Sequence, residues 1–303
     1  TSEDPVASLV RVPAIGAGGE YVDFKFPHYS DAVRRANFRD FIPLDPQSLT
    51  IGVDGANELL IGYFKEQKEW VAEDTVRLRP NNSNYVLNNI KVGNAYALRH
   101  YVYDTHGIEM KGNSDLTLSN VVLYSIPGMA FLVGGGQHHW QLLDCKVTRR
   151  PGSDQIMSST ADHYHAQNTK GYFIIDGCDF GYGGDDGINT HDNMSKGIVL
   201  LDSKTFTGDN EQRRPPYRAG DVIEFRNADL SPTGFSSTIA SAVWNGNQVK
   251  ITLEDDFPDN RSSGSLDWIL FDRAYDSGNY IIRNNYFHEN RARGILVQTP
   301  NGL

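Results

Sequence analysis

The chain has 303 residues, of which 39% are hydrophobic and 11% aromatic, and this composition excludes a largely disordered protein. Its formal net charge of −10 disfavours nucleic acid and anionic membranes as partners and fits a protein that acts on a neutral or weakly charged ligand. No apolar run approaches the roughly 18 residues of a membrane-spanning helix, so the sequence predicts none.

Residues 1–95 carry no repeat and are predicted to form a β-rich N-terminal portion with an insertion. The residue patterns of segments 50–70 and 76–89 are typical of strands separated by polar turns. Segment 6–26 is predicted to supply a further pair of strands.

An eight-residue pattern recurs from residue 116 onwards. Two apolar residues alternate with residues of any kind, then Asn, Asp, Gly or Ser follows, and an apolar residue comes three positions later. The alternation predicts a strand with one buried face, and the residue at the fifth position suits a left-handed bend. The five copies are 116–123, 140–147, 173–180, 199–206 and 280–287.

Self-similarity at 20 to 50 residues is typical of repeat architectures, and the internal period of two argues against a helical repeat. We therefore predict an all-β fold, namely a right-handed parallel β-helix (solenoid) with inserted small β modules. Residues 96–206 are predicted to form the β-helix core with the active site, each strand pairing with its counterpart one coil away.

The interval between the fourth and fifth copies is much longer than the others. Residues 207–267 are therefore predicted to form an inserted small β module, which serves either as a wall or lid over a cleft or as a decorative excursion. Residues 268–303 are predicted to continue the β-helix. The chain ends inside what reads as another coil, which predicts a truncated chain or a neighbour that covers the open end.

Two cysteines, Cys145 and Cys178, occupy the same position of consecutive copies. They could form a disulfide, or they could be two small buried residues in one interior ladder. We favour the second interpretation, because stacked strand positions seldom give disulfide geometry.

A second strand precedes most copies and carries acidic residues. Gly128, Ala161 and Gly187 each lie 12 residues before the start of a copy. When these positions are aligned, Asp162 in one coil lies beside the Asp185–Asp186 pair in the next coil, to within about one residue. Adjacent coils are separated by the strand spacing of about 4.8 Å. Three carboxylates on one patch repel each other, so at least one should hold its proton more tightly than a free Asp.

Such a set suits glycoside hydrolysis, which needs an acid on the leaving oxygen and a base on water. In an inverting enzyme the two carboxyls stand roughly 6.5–9.5 Å apart, which adjacent strands can reach. Arg293 could bind sugar hydroxyls from two or more coils beyond the acids, or it could face solvent. Candidate sugar contacts near the acids are Trp140, His163, Tyr164, His165 and His191.

Two plainer interpretations compete with catalysis. The Asp185–Asp186 pair could be a solvated Asp-Gly turn, as expected for Asp255–Asp256, which has no acidic partner nearby. A calcium site is also possible, because oxygen-rich clusters bind calcium, although the surrounding histidines argue against it. We predict no metal.

Several motifs together resemble glycoside hydrolase family 110. The resemblance runs from about residue 95 to the end and is weaker before that point. Its motifs are His106-Gly-Ile108, Pro127-Gly-Met129, Ser159-Thr-Ala-Asp162, Gly184-Asp-Asp-Gly-Ile188, His191 and Ala292-Arg-Gly-Ile295.

The resemblance implies a bacterial, inverting, exo-acting α-1,3-galactosidase that needs no cofactor. By resemblance, Asp162, Asp185 and Asp186 carry over as the acid/base set, with one of the adjacent pair as acid. The resemblance also implies that His106 contacts the substrate. The resemblance also implies a secreted or periplasmic protein that binds α-galactosides, and it leaves a homo-oligomer open.

Other functions remain as alternatives. A β-helical carbohydrate-binding or adhesion protein would bind sugar without hydrolysing it. A polygalacturonase-like enzyme would use a similar aspartate trio, but the Gly-His-Gly and Arg-Ile-Lys signatures of that family are absent from this sequence. A polysaccharide lyase would need a basic patch for uronates, which this acidic chain scarcely offers.

Overall fold

The computed structural model describes residues 5–51, 53, 57–192, 194–209 and 217–299. These residues form an all-β protein in three parts: an antiparallel N-terminal sheet, a stack of three parallel sheets and an antiparallel barrel. The helical segments are short. They are the α-helices Asp31–Arg35 and Ser83–Asn89 and the 3-10 turns Ala17–Gly19, Ile61–Tyr63 and Pro258–Asn260.

The N-terminal sheet has seven antiparallel strands. In spatial order they are Leu59–Leu60, Asp40–Leu44, Ala95–Arg99, Ala7–Ile15, Val22–Lys25, Thr75–Leu78 and Glu69–Ala72. One face buries an aromatic cluster in which the rings of Phe24 and Phe41 stack at 4.6 Å. The other face packs Leu9 and Ile42 against Ile156 and Met157, so this sheet is attached to the loop that precedes Asp162.

The parallel stack consists of three sheets, to which the chain contributes one strand each in turn. The first, called the site sheet below, has the order Ile108–Lys111, Phe131–Gly134, Tyr164–Gln167, Ile188–His191 and Ile295–Gln298. The second has the order Ser114–Ser119, His138–Leu143, Phe173–Asp176 and Tyr280–Arg283. The third has the order Val122–Leu123, Lys146–Val147, Asp179–Gly181 and Tyr286–His288. We call one strand from each sheet a layer.

Equivalent residues of successive layers lie directly above one another in the core. The rings of Trp140 and Phe173 stack at 4.7 Å, and those of Phe173 and Tyr280 stack at 5.1 Å. The bend predicted at the fifth position of the repeat is confirmed in four copies. Each of these residues has a φ between 52° and 68°: Asn120, Asp144, Gly177 and Asn284.

The copy at 199–206 does not belong to this stack. Phe173–Asp176 pairs directly with Tyr280–Arg283, so the third copy is followed in space by the fifth. Residues 199–206 form an antiparallel hairpin instead, and Ser203 is not among the described residues with positive φ. An antiparallel strand with one buried face has the same apolar alternation as a stacked strand, which is why the pattern misled.

The barrel closes through six antiparallel strands. In order around the barrel they are Met194–Leu200, Thr205–Asp209, Gln248–Leu253, Pro232–Asn245, Val222–Asn227 and Trp268–Asp272, which pairs back to Met194–Leu200. A short strand, Gly264–Leu266, also pairs with Met194–Leu200. The barrel strands therefore extend beyond both ends of the predicted module at 207–267. Aromatic rings such as Phe206, Phe225 and Phe257 fill the interior.

The prediction of a right-handed parallel β-helix is wrong, although the all-β class is correct. The chain instead has several parallel sheets together with a closed antiparallel barrel and an antiparallel N-terminal sheet. The physical reason is that the repeat occupies only part of the chain. Strands elsewhere satisfy their backbone groups by antiparallel pairing, which needs only short connections.

Two smaller expectations can be checked against the fold. Cys145 and Cys178 are buried and unbridged, as predicted. Within the described residues, no helix combines the length and the hydropathy needed to cross a membrane.

Asp192 lies where the chain leaves the parallel stack for the barrel. Its side chain is buried, and Oδ1 accepts a hydrogen bond at 2.8 Å from the backbone N–H of Ser277, in the segment by which the chain returns. The Asp192 N–H donates to the carbonyl of Gln298 at 3.1 Å. Burial raises the pKa of Asp192 to about 7. This carboxyl therefore joins the exit and the return of the barrel segment.

We expect Asp192→Asn to flatten the dependence of stability on pH. The folded-state pKa of Asp192 is about 7, above its value in the unfolded chain. The folded state therefore binds more protons between about pH 4 and 7, and the free energy of unfolding of the wild type falls as pH rises through that window. The Asn variant has no such group and does not lose this stability. The free energy of unfolding of the variant minus that of the wild type should therefore rise by roughly 2–4 kcal/mol between pH 4 and 8.

Urea unfolding at several pH values measures this difference. Asp267→Asn, at an exposed position, is the matched control and should follow the wild type. A difference between Asp192→Asn and wild type that stays constant from pH 4 to 8 would contradict the assignment.

Candidate active site

Glycines shape the turn that carries the adjacent acidic pair. A Cβ on Gly184 would lie 2.5 Å from the Thr160 carbonyl, and one on Gly187 would lie 2.6 Å from the Gly294 carbonyl. These distances are too short for any larger residue without a backbone shift. The glycines therefore let the turn pack tightly between the neighbouring layers, with Asp185 and Asp186 held between them.

Parallel pairing aligns three charged residues in one row. Tyr164 pairs with Ile188, and Ile188 pairs with Ile295. Two residues before these paired positions lie Asp162, Asp186 and Arg293. The pairing continues back to these residues through backbone hydrogen bonds, such as that from the Gly187 N–H to the Arg293 carbonyl. Arg293 is thus one layer beyond Asp186, not two or more as the sequence suggested.

The three predicted aspartates lie together. One carboxylate oxygen from each of Asp162, Asp185 and Asp186 falls within 4.8 Å of the other two. Asp162 and Asp186 are buried, and Asp185 is partly exposed. Three carboxyls at this distance cannot all be ionised without compensation, so the surroundings of each one decide its protonation.

Asp186 is held as a carboxylate by Arg293. Its Oδ1 accepts from the Arg293 backbone N–H at 3.0 Å and from Nε at 2.8 Å, and its Oδ2 accepts from Nη2 at 2.9 Å. Bidentate pairing with a guanidinium strongly favours the charged form. The Arg293 side chain is 60% exposed and that of Asp186 only 1%. The carboxylate therefore lies at the floor of the site, and the guanidinium reaches the surface.

Asp162 is surrounded by donors. His165 Nδ1 lies 2.6 Å from Oδ2, and the Asn189 side-chain amide donates to the same oxygen at 3.3 Å. The backbone N–H of Asp186 donates to Oδ1 at 3.2 Å. Hydrogen bonds from donors favour the ionised form of a carboxyl.

Asp185 has a different environment. Its pKa is raised by burial and by the charge of Asp162, against an opposing influence from Arg291. The Arg291 guanidinium lies 3.7 Å from Oδ1, and the Tyr103 hydroxyl donates to Oδ2 at 3.4 Å. Asp185 is therefore the member of the trio best placed to hold a proton.

The N-terminal sheet supports the trio through a buried arginine. Arg99 donates to both carboxylate oxygens of Asp40, at 2.6 and 2.5 Å. Its Nη1 donates to the carbonyls of Thr160 at 2.6 Å and Gly184 at 3.3 Å, which lie on the two loops that carry the acids. Glu58 lies between Arg99 and Arg291, accepting from Arg99 Nη2 at 3.5 Å and from Arg291 Nε at 2.9 Å.

The sequence did not predict this support. It also did not predict that the site contains Tyr103, Asn189 and Arg291. One signal was available for Arg99, which ends the otherwise apolar strand Ala95–Arg99. Arginine is almost never fully buried unless it is paired, so its position in that run predicts a charged partner.

The remaining predicted contacts are divided between surface and core. His165 and His191 lie on the outer face of the site sheet, with their Nε2 atoms 3.2 Å apart. Burial and the neighbouring His165 lower the pKa of His191 to about 4. His106 lies in the same row as Asp162, but Met129 separates the two, and His106 Nδ1 accepts from the Met129 N–H at 3.2 Å.

His163 and Tyr164 do not reach the site. Both side chains are fully buried: the alternation along Tyr164–Gln167 turns Tyr164 into the core, and His163 Nε2 lies 3.0 Å from the buried Ser158 hydroxyl. His163 stacks on Phe180 at 5.7 Å, and Tyr164 packs on Phe173 at 5.9 Å. Their prediction as sugar contacts is therefore corrected: both are core residues, and so is Trp140, which stacks on Phe173.

The trio could in principle hold a cation, since three oxygens within 4.8 Å can coordinate one ion. Asp186, however, already accepts three hydrogen bonds from Arg293. Its charge is thereby compensated within the chain, which weakens the case for a metal. The chemistry that this arrangement favours is proton transfer between carboxyl groups and a bound molecule.

Comparison with known proteins gives relatives of one kind. The chain is 28% identical over 70% of its length to alpha-1,3-galactosidase B of Akkermansia muciniphila, and 26% identical over 69% to alpha-1,3-galactosidase A of Bacteroides fragilis. It is 24% identical over 69% to alpha-1,3-galactosidase B of Bacteroides thetaiotaomicron. These similarities confirm the resemblance to bacterial α-1,3-galactosidases.

The matched regions are only part of each relative. They cover 27%, 35% and 34% of the three relatives, so the chain spans about a quarter to a third of the length of the proteins it matches. No family model matches the chain.

We expect Arg99→Leu to destabilise the chain strongly. The variant leaves Asp40 as an unpaired buried charge and the Thr160 carbonyl without its donor, a change of about 3–5 kcal/mol. Urea unfolding tests this. Arg77→Leu is the matched control, because Arg77 pairs with Asp23 in the same sheet at a more exposed position and should lose less. Equal losses in the two variants would count against a special role for Arg99.

Proposed function

We propose that this chain carries the catalytic site of a glycoside hydrolase that releases terminal α-1,3-linked galactose with inversion at the anomeric carbon. The observation that carries the proposal is the aspartate trio, in which three carboxyls within 4.8 Å have three different sets of partners. The names of the similar proteins support the substrate class.

We assign the acid role to Asp185. A general acid must be protonated at working pH and must be reachable by the leaving oxygen. Asp185 is the partly exposed member of the trio, and burial together with the charge of Asp162 raises its pKa. The Tyr103 hydroxyl beside it is suitably placed to bind the leaving group.

We assign the base role to Asp162, with Asp186 beside it. Asp162 accepts hydrogen bonds from the Asp186 N–H and the Asn189 amide and lies 2.6 Å from His165 Nδ1, and these contacts orient the carboxylate to take a proton from the attacking water. Asp186 is paired with Arg293, and its contribution is to orient that water.

One observation favours the retaining alternative. The carboxylate oxygens lie within 4.8 Å of one another, below the roughly 6.5–9.5 Å that separates the carboxyls of inverting enzymes and near the 5–5.5 Å of retaining ones. Both mechanisms need only two carboxyls, so the number of aspartates does not decide between them, and we propose inversion on the resemblance to glycoside hydrolase family 110.

The anomer released first decides between these mechanisms. Proton NMR of the reaction with an α-1,3-linked galactosyl disaccharide should show β-galactose before mutarotation. Initial release of α-galactose would assign a retaining mechanism and reject inversion.

We expect Asp185→Asn and Asp162→Asn each to lower kcat for the α-1,3-linked disaccharide by at least about 10²-fold, the lower end for a lost acid or base. Asp256→Asn, in the chain's other adjacent pair, is the control and should retain wild-type turnover. Unchanged turnover in both site variants would contradict the proposal. Galactose binding without any hydrolysis by the wild type would favour a carbohydrate-binding protein instead.

We expect Arg291→Gln to extend activity to higher pH. Asp185 must be protonated to act, so activity falls as pH rises through its pKa. Arg291 lowers that pKa, and its removal should raise the pKa further and move the alkaline limb of kcat/KM upward. Arg283→Gln, which breaks an exposed pair with Asp176, is the control. An alkaline limb that does not move, or moves downward, would contradict the role of Asp185.

A further inference from the structure

The two histidines beside Asp162 form a hydrogen-bonded chain that the reaction as proposed does not use. Asp162 Oδ2 lies 2.6 Å from His165 Nδ1, and His165 Nε2 lies 3.2 Å from His191 Nε2. The two rings meet edge to face at 81°. The chain runs along the outer face of the site sheet, from Asp162 in one layer to His191 in the next.

The protonation of this chain follows from the groups around Asp162. Two of its three partners, the Asp186 backbone N–H and the Asn189 amide, can only donate at their contact atoms. The carboxyl is therefore an acceptor, and the short contact to His165 requires a hydrogen on His165 Nδ1. A neutral His165 then has no hydrogen on Nε2.

His191 must supply the hydrogen that lies between the two rings. Only one hydrogen fits between two Nε2 atoms at 3.2 Å, and a neutral His165 has none on Nε2 to supply. With His165 neutral, His191 Nε2 is therefore the donor. The lowered pKa of His191, about 4, agrees with a neutral ring at pH 7.

We propose that His191 is a positioning residue that fixes the Nδ1–H tautomer of His165 and thereby keeps Asp162 ready to accept a proton. The effect on the reaction rests on the proposed function, through the role of Asp162 as base. If His165 had its hydrogen on Nε2, its bare Nδ1 would face the carboxylate at 2.6 Å, and Asp162 would have to carry a proton to avoid repulsion.

Few charged groups from the surroundings interfere with this arrangement. In the neighbouring layers His165 pairs with Leu132 and Asn189, and His191 pairs with Gln167 and Gln298, all of them neutral. The nearby acidic groups are the aspartate trio and the buried Asp192, which follows His191. Arg293 is engaged with Asp186. On the far side of Leu132 lies Glu109, which pairs with Lys111.

The tautomers can be observed directly. In protein labelled with 15N in its histidine rings, two-bond 15N–1H correlation spectra at pH 7 should show His165 as the Nδ1–H tautomer and His191 as the Nε2–H tautomer. An Nε2–H tautomer of His165, or a doubly protonated His165 at pH 7, would overturn the proposal.

Two substitutions at His191 separate donation from bulk. The amide of His191→Gln can still donate to His165 Nε2, whereas His191→Met fills similar space without a donor. We expect His191→Met to give mixed His165 tautomers and about tenfold lower kcat with little change in KM, the effect of one lost hydrogen bond. His191→Gln should keep the Nδ1–H tautomer and most of the turnover.

His139→Gln, at an exposed position on another sheet, controls for loss of a histidine and should behave as wild type. Equal kcat losses in His191→Gln and His191→Met, or an unchanged His165 tautomer in His191→Met, would reject the positioning role. If the wild type shows the expected tautomers but no galactosidase activity, the proposed function fails while the assignment of hydrogens stands.

Discussion

In-register pairing of three parallel strands is the constraint on which the site depends. Tyr164, Ile188 and Ile295 pair one above another, so the residues two positions earlier must form a row. That row puts Asp186 between Asp162 and Arg293, at the spacing of adjacent strands. A shift of one residue in the Ile188–Ile295 pairing would separate Arg293 from Asp186, and a shift in either pairing would turn outward side chains into the core.

The trio works as a set because its members differ. The guanidinium of Arg293 fixes the charge of Asp186, donors fix the charge of Asp162, and burial beside those charges favours a proton on Asp185. Arg99 ties this arrangement to a different part of the chain, since it bonds the carbonyls of both loops that carry the acids. The N-terminal sheet therefore stabilises the geometry that raises the pKa of Asp185.

The sequence was sufficient to align the aspartates, but not to place Arg293 or to predict the architecture around them. The alignment of Asp162 with Asp186 followed from counting between leading strands, which do pair in register. The copy at 199–206 obeyed the same pattern yet folds into the barrel, because one buried face gives the same alternation in parallel and antiparallel strands. Arg291 and Glu58 were not predictable, since their contact joins positions far apart in a chain whose N-terminal part has no repeat.

Turnover of α-galactosyl fluoride tests the division of roles within the trio. Fluoride leaves with little need for a proton, so a variant that lacks only the general acid should still hydrolyse this substrate. We expect Asp185→Asn to keep most activity on the fluoride while losing it on an α-1,3-linked disaccharide, and Asp162→Asn to lose both. Equal loss on both substrates in Asp185→Asn would contradict the assignment of Asp185 as the acid.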